Sequence, residues 1–283
     1  MKIAFLGPEG SYSHLAAKEF LKTESTGETG ANWDECVPFR NFAEVLNAVA
    51  SGRVDAGAIP IENSLQGGVS QNLDLLQETD GLYAVKETVV RVDHRLVMKK
   101  GVKISEIGRV YSHRQALDQC AKFLAREMPF ASLRETESTG FGLSRAMEDD
   151  SGKSAAIVGA HTESIRSGFE LGTESIADEK NNYTHFLLIK KGKESLPKTS
   201  ERLFFSTVGP HRPGGLVALL QIIAKHDVNM TKIESRPAKN RPGEYRFFIE
   251  ADCDVSSPSA VEMLKEVENF ALECKLLGAY DRG

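Results

Sequence analysis

Apolar residues in the first two thirds of the chain follow two alternating patterns: short unbroken runs, and stretches in which they recur every third or fourth position. The run at 3–6 precedes a helical pattern at 14–21, and the helical stretch 42–49 precedes the run 54–59. Val110 and Tyr111 come before a helix carrying Ala116, Leu117, Cys120, Phe123 and Leu124, and the run 155–158 comes before another helical turn. This alternation predicts α/β layers, with helices covering a largely parallel sheet.

From about residue 191 to 202 the period disappears, and Gly192 and Pro197 stand among Lys, Glu and Ser, which reads as a linker. Beyond it the order becomes strand, helix, strand, strand, helix, strand. Residues 203–209 form the first strand, and the helix 215–226 has Leu216, Leu219, Leu220 and Ile223 on one face. Residues 228–236 pair with 244–253 across the turn at Pro242 and Gly243. Ser257 is an N-cap before Pro258, Val261, Leu264, Val267 and Ala271 mark a buried stripe, and 275–280 closes the sheet. The expectation is a first domain over 1–190 and a ferredoxin-like βαββαβ unit over 203–283. Length agrees, since 283 residues exceed the roughly 150 that one core usually holds.

Composition narrows the class. With 41% hydrophobic and 27% charged residues and no apolar run near the roughly 20 needed to span a membrane, an ordinary soluble protein is expected. The opening run 1–6 is too short for a secretion signal, which points to the cytoplasm. A net charge of −5 with dispersed Lys and Arg gives no basic face for nucleic acid, so a small-molecule ligand is expected. Cys36, Cys120, Cys253 and Cys274 form no C-x-x-C pair, and the seven histidines include no H-E-x-x-H, so neither disulfide nor metal is expected.

The candidate chemistry gathers where strands meet loops. Asn182, Tyr183, Thr184, His185 and Phe186 open an apolar strand, a place where a hydroxyl can be aimed into a cleft. Gly7, Pro8, Glu9, Gly10, Ser11 and Tyr12 lie between the first strand and first helix; this is a helix cap or an anion site, and not a dinucleotide fingerprint. Glu62, Asn63 and Ser64 lie just past an apolar strand, followed by Gly67 and Gly68, as turn formers or as ligand groups. Ser112 and His113, and Ser138 and Thr139, are N-cap candidates that also suit a pocket for a small carboxylate. No G-x-S-x-G elbow marks a nucleophilic serine. In the second domain Gly214, Gly215, Leu216 and Val217 open a helix, and Glu234, Ser235, Arg236 and Pro237 end a strand; a helix entry with a surface ion pair and a ligand site both fit.

Taken together these strings resemble the prephenate dehydratase family over nearly the whole chain. Residues 7–14, 59–64, 111–113 with 115–117, Ser138 with Thr139, and 182–186 are similar to its catalytic motifs, and 214–217 and 234–237 to those of its ACT regulatory domain. No helical chorismate mutase segment leads the chain, so it resembles the monofunctional form. The resemblance implies a bilobed, periplasmic-binding-protein-like catalytic domain followed by the ACT unit. It implies loss of the ring hydroxyl and carboxylate of prephenate to give phenylpyruvate, carbon dioxide and water, with no cofactor. Thr184 maps onto the family's essential threonine, as hydrogen-bond donor to the departing hydroxyl. Ser11, Tyr12, Glu62, Asn63, Ser64, Ser112, His113, Ser138, Thr139, His185 and Phe186 would then line the substrate.

Two positions depart from the pattern: His185 stands where the family usually has Arg, and Arg114 where it commonly has Pro. Histidine is a pH-dependent cation near neutrality, whereas arginine is a permanent one, so either His185 supplies a conditional charge or another group does. For 214–217 and 234–237 the resemblance implies phenylalanine held between paired ACT domains, hence a dimer or dimer of dimers. Rival readings are arogenate dehydration, decarboxylation alone, and a carboxylate sensor without catalysis.

Overall fold

The computed structural model describes residues 1–24, 35–163, 165–192, 199–239 and 241–281. The first lobe contains β1 (Lys2–Leu6), α1 (Tyr12–Glu24), β2 (Glu35–Phe39), α2 (Phe42–Ala50), β3 (Ala56–Asn63), the short β4 (Gly67–Gly68), α3 (Ser70–Glu78) and β5 (Leu82–Arg91). The chain then enters a second lobe of β6 (His94–Lys99), β7 (Arg109–Ser112), α4 (Arg114–Gln119), α5 (Ala121–Glu127), β8 (Ser132–Glu135), α6 (Thr139–Glu148), β9 (Ser154–Gly159) and β10 (Phe169–Leu171). It returns to the first lobe as β11 (Tyr183–Lys191). The C-terminal unit follows as β12 (Arg202–Val208), α7 (Gly215–Lys225), β13 (Asn229–Pro237), β14 (Tyr245–Asp252), α8 (Pro258–Phe270) and β15 (Glu273–Tyr280).

The expected largely parallel sheet is mixed in both lobes. β1 pairs parallel with β2 and β3, but the returning β11 lies antiparallel between β3 and β5. In the second lobe β7 is parallel to β8 and β9, while β6 runs antiparallel to β9 and β10. The cause is topological: a chain that crosses to a second lobe and comes back needs a strand running the other way. The helix expected through Cys120 is also two helices. Asp178, from a distant segment, accepts from the backbone N–H of Lys122 at 2.9 Å and of Phe123 at 3.2 Å, which caps α5 and ends α4 before it.

The C-terminal sheet runs β13-β14-β12-β15 and continues into the first lobe, because β15 pairs parallel with β5 where Gly278 meets Ala84. A Cβ at Gly278 would lie 2.4 Å from the Ala84 carbonyl oxygen, so this junction admits only glycine. Of the linker expected over 191–202, residues 193–198 lie outside the described residues.

Each face of the first-lobe sheet has its own core. Phe186, Leu188 and Val90 pack with Ile3, Phe5 and Phe20 under α1. Leu187, Ile189, Ile59 and Ile61 pack on the other face with α2, α3 and Phe204, Phe248 and Tyr280 of the C-terminal unit. Leu219, Ile223, Met263 and Val267 cover the remaining face of that unit from α7 and α8. Among the described residues no helix is long and apolar enough to cross a membrane.

Candidate active site

Thr184 is partly exposed at the start of β11, at the end of the sheet where β3 finishes. A β-bulge brings its partner to it. Phe186 lies opposite Pro60 and His185 opposite Glu62, leaving Ile61 as an extra residue in β3. Strict alternation from Ile59 through Ile61 would aim Asn63 at the α2 face; the extra residue turns it to the face of Thr184 instead.

Asn63 is nearly buried and its two amide atoms can be told apart. The backbone N–H groups of Leu65 and Gln66 donate to Oδ1 at 3.1 and 3.2 Å, so the other atom is Nδ2, which donates to Thr184 Oγ1 at 3.0 Å and Asn182 Oδ1 at 2.7 Å. A threonine oxygen that accepts from Asn63 keeps its own proton for another partner. Thr184 is thereby set as a donor. Ser64 supports the same corner, its Oγ accepting from the Tyr183 N–H at 2.9 Å and donating to the Asn181 carbonyl at 3.2 Å.

A cavity of about 590 Å³ lies between the lobes, walled by Gly7, Pro8 and Gly10 of the β1–α1 loop and by Ser138, Thr139 and Phe141 at the start of α6. Ser138 caps α6 by accepting from the Phe141 N–H at 3.1 Å, and the remaining first-turn N–H groups and the positive end of the helix favour an anion. Glu9, Glu137 and Glu163 also line the cavity, so attraction for a carboxylate is local to the helix end. Thr184 and Asn63 are not among these walls.

The lobes are tied across the gap. Gln115 Nε2 donates to Gln66 Oε1 at 2.8 Å, His161 Nε2 lies 3.0 Å from the Gly10 carbonyl oxygen, and Lys18 lies 3.5 Å from Glu163. His14 Nδ1 accepts from the Gly10 N–H at 2.9 Å, and its ring stacks on Phe5 at 4.7 Å. Burial holds the pKa values of His14 and His161 below the usual imidazole value. Tyr12 donates to the Asp93 carbonyl at 2.7 Å, and burial raises its phenol pKa.

Several residues expected at the ligand serve the framework instead. Ser112 is fully buried and donates to the Ile157 carbonyl at 2.7 Å, while Phe186 is a core side chain beneath α1. Ser11 caps α1 through the His14 N–H at 3.2 Å, and His113 caps α4 through the Gln115 N–H at 3.3 Å. The reason is general: free backbone groups at a helix start compete for the same hydroxyls that a ligand would use. His185 and Glu62 lie on the face opposite Thr184. His185 Nδ1 is 2.8 Å from Glu87 Oε1, and Glu62 pairs with Lys232 of the C-terminal unit.

Against known proteins, the prephenate dehydratase family profile matches residues 3–194 and the ACT domain profile residues 205–269. The bifunctional chorismate mutase/prephenate dehydratase of Escherichia coli K12 is 32% identical over 282 residues, covering 99% of this chain and 70% of that protein. The chain belongs to the prephenate dehydratase family. It is thus a lyase-type enzyme with an ACT domain. A prephenate dehydratase from Arthrobacter aurescens, solved in complex with L-Phe, superposes with a TM-score of 0.85 at 29% identity, covering 100% of this chain and 90% of that one. A quorum quenching acylase superposes with a TM-score of 0.82 at 24% identity over 100% of this chain and 98% of its own, a likeness of fold alone. Function within this architecture therefore rests on the site rather than the scaffold.

In the ACT domain Gly214 opens α7 with φ of 79°, and a Cβ on Gly215 would fall 2.4 Å from the Pro210 carbonyl oxygen. Leu216 and Val217 are exposed beside it. The Glu234–Pro237 end of β13 lies against the same chain's catalytic domain: Glu234 accepts from Ser70 Oγ at 2.5 Å and Arg236 donates to Asp74 at 2.9 Å. Gly68 lets Glu234 in, since any Cβ there would overlap its carboxylate. Sequence reasoning missed Glu87, Gln66, His161 and Arg202. Their partners are 98, 49, 151 and 115 positions away, so no local spacing announces them.

Proposed function

We propose that the chain dehydrates prephenate to phenylpyruvate with Thr184 as hydrogen-bond donor to the departing ring hydroxyl. The C–CO2 bond breaks, its electron pair enters the ring, and the C–OH bond breaks with its pair on oxygen; the departing hydroxide, hydrogen-bonded by Thr184, takes its proton from solvent to become water, and aromatisation supplies the driving force. A threonine is too weak an acid to surrender its proton outright. It polarises the leaving oxygen, so that charge developing in the transition state meets a donor already in place.

The observation that carries this reading is the Asn63 amide at 3.0 Å from Thr184 Oγ1, which leaves the hydroxyl proton pointing elsewhere. The α6 N-terminus, with Ser138 and Thr139, is the proposed seat of a substrate carboxylate. Incubation of the purified chain with prephenate, followed by product identification, is the direct test. Phenylpyruvate supports the reading, a non-aromatic dihydro acid would mean decarboxylation alone, and unchanged prephenate would leave a binding protein. Conversion of arogenate to phenylalanine at a higher kcat/KM would move the substrate assignment.

For the ACT domain the reading is that L-phenylalanine binds at Gly214–Val217 and Glu234–Pro237, between two copies of the chain in a cytoplasmic homo-oligomer. Support comes from the exposed Leu216 and Val217 beside the glycine turn and from the L-Phe bound to the Arthrobacter aurescens protein.

A further inference from the structure

The strand that carries Thr184 is gripped from its other face by a charged cluster joining the two domains. Glu87 is 5% exposed; one oxygen lies 2.8 Å from His185 Nδ1 and the other accepts from Arg202 Nη1 at 2.8 Å. Arg202 Nε in turn donates to Asp252 at 2.9 Å. Register explains why these groups meet: Glu87 is opposite Leu187, so it shares a face with His185 two positions along β11.

Every neighbouring strand brings a titratable or charged group. Glu62 comes from β3, Glu87 from β5, Arg202 from β12, Lys232 from β13, Glu250 and Asp252 from β14, and Tyr280, which donates to Glu250, from β15. Four carboxylates thus face two permanent cations, and His185 is placed to supply a further positive charge. A carboxylate as buried as Glu87 is costly when a partner is removed, which ties the ACT domain and β11 to one another.

We propose that His185 is a positioning residue and not a substrate ligand: with Glu87 and Arg202 it clamps β11 to the ACT domain, and this clamp fixes the Thr184 hydroxyl. The inference rests on the catalytic role of Thr184 given above. The Glu87 hydrogen bond raises the His185 pKa against the opposing effect of burial, so the charge-assisted form of the clamp persists upward from acid pH and weakens as pH rises through the folded value.

The test compares wild type with His185→Gln, Glu87→Gln and His185→Arg, recording kcat, KM for prephenate and thermal midpoint from below to above neutral pH. Both glutamine variants are expected to lower kcat about tenfold with KM unchanged, the size of a small misplacement of a reacting group. The wild-type midpoint falls as pH rises through the folded His185 value, which lies above the ordinary imidazole value. In His185→Gln that fall is lost, and His185→Arg restores kcat and removes the fall as well. A rise in KM at unchanged kcat in His185→Gln would make the imidazole a substrate ligand and overturn the proposal. Unchanged kcat and midpoint in both glutamine variants would also overturn it. If wild type fails to turn over prephenate, the Thr184 reading falls separately, and the midpoint series still decides the clamp.

Discussion

At the scale of single residues the consequential fact is which way one hydroxyl proton points. Replacing Thr184 by Val keeps the β-branched shape and removes the donor; the expected loss in kcat is roughly 10²- to 10³-fold with an unchanged thermal midpoint. Retention of most turnover by Thr184→Val would remove that oxygen from the mechanism. Asn63→Asp is a sharper test, because a carboxylate in that place can only accept. It would draw the Thr184 proton toward itself, and a comparable loss of kcat is expected in steady-state assays although Thr184 is intact. His14, His94 and His161 have folded pKa values lowered by burial, so the stability of keeping them neutral is present above the unfolded value near 6.5 and lost as pH falls below it. Thermal midpoints should therefore drop between about pH 6.5 and 5, before most carboxylates protonate.

Among the elements, the bulge in β3 and the cap of α6 position the candidate site groups. The bulge lets Ile59 and Ile61 both enter the core under α2 while Asn63 reaches Thr184. Deleting Ile61 would remove the bulge and empty a core position, while the regular register left behind would still set Asn63 opposite Thr184, so a lower thermal midpoint is the expected outcome. At α6, Ser138→Ala removes the acceptor for the Phe141 N–H and should cost about 1 kcal/mol in denaturant unfolding. A larger KM for prephenate is expected with it if the helix start holds a carboxylate; an unchanged KM would place that carboxylate elsewhere. The capping serines were legible in the sequence, because Ser138 and Ser257 each precede a helical period. The division of α4 from α5 was not, because the Asp178 cap comes from 55 and 56 positions away.

For the whole molecule, the joined sheet and the β13 contacts make the ACT domain part of the catalytic scaffold. Gly278→Val would drive a side chain into the Ala84 carbonyl, and the β15–β5 junction should open, seen as a lower thermal midpoint and faster proteolysis between the domains. Added L-phenylalanine should raise the midpoint as it saturates its site, since a ligand that binds only the folded state stabilises it by mass action. No shift at saturating concentration would contradict the effector reading. Glu234 and Arg236, held against Ser70 and Asp74, connect the proposed effector region to α3, which follows the turn after Asn63.

The sequence by itself determined the α/β character of the first domain and the βαββαβ order of the second, and it singled out the string from Asn182 to Phe186 as a candidate place for chemistry. Those properties are periodicities and local signals, which one stretch of chain carries alone. Tertiary structure decided the rest: the returning β11 that makes the sheet mixed, the extra residue that aims Asn63, the burial of Phe186 and Ser112, and the face on which His185 meets Glu87. Each depends on what lies across a strand or lobe boundary, and a side chain's duty there is set by whichever distant donor or acceptor reaches it first.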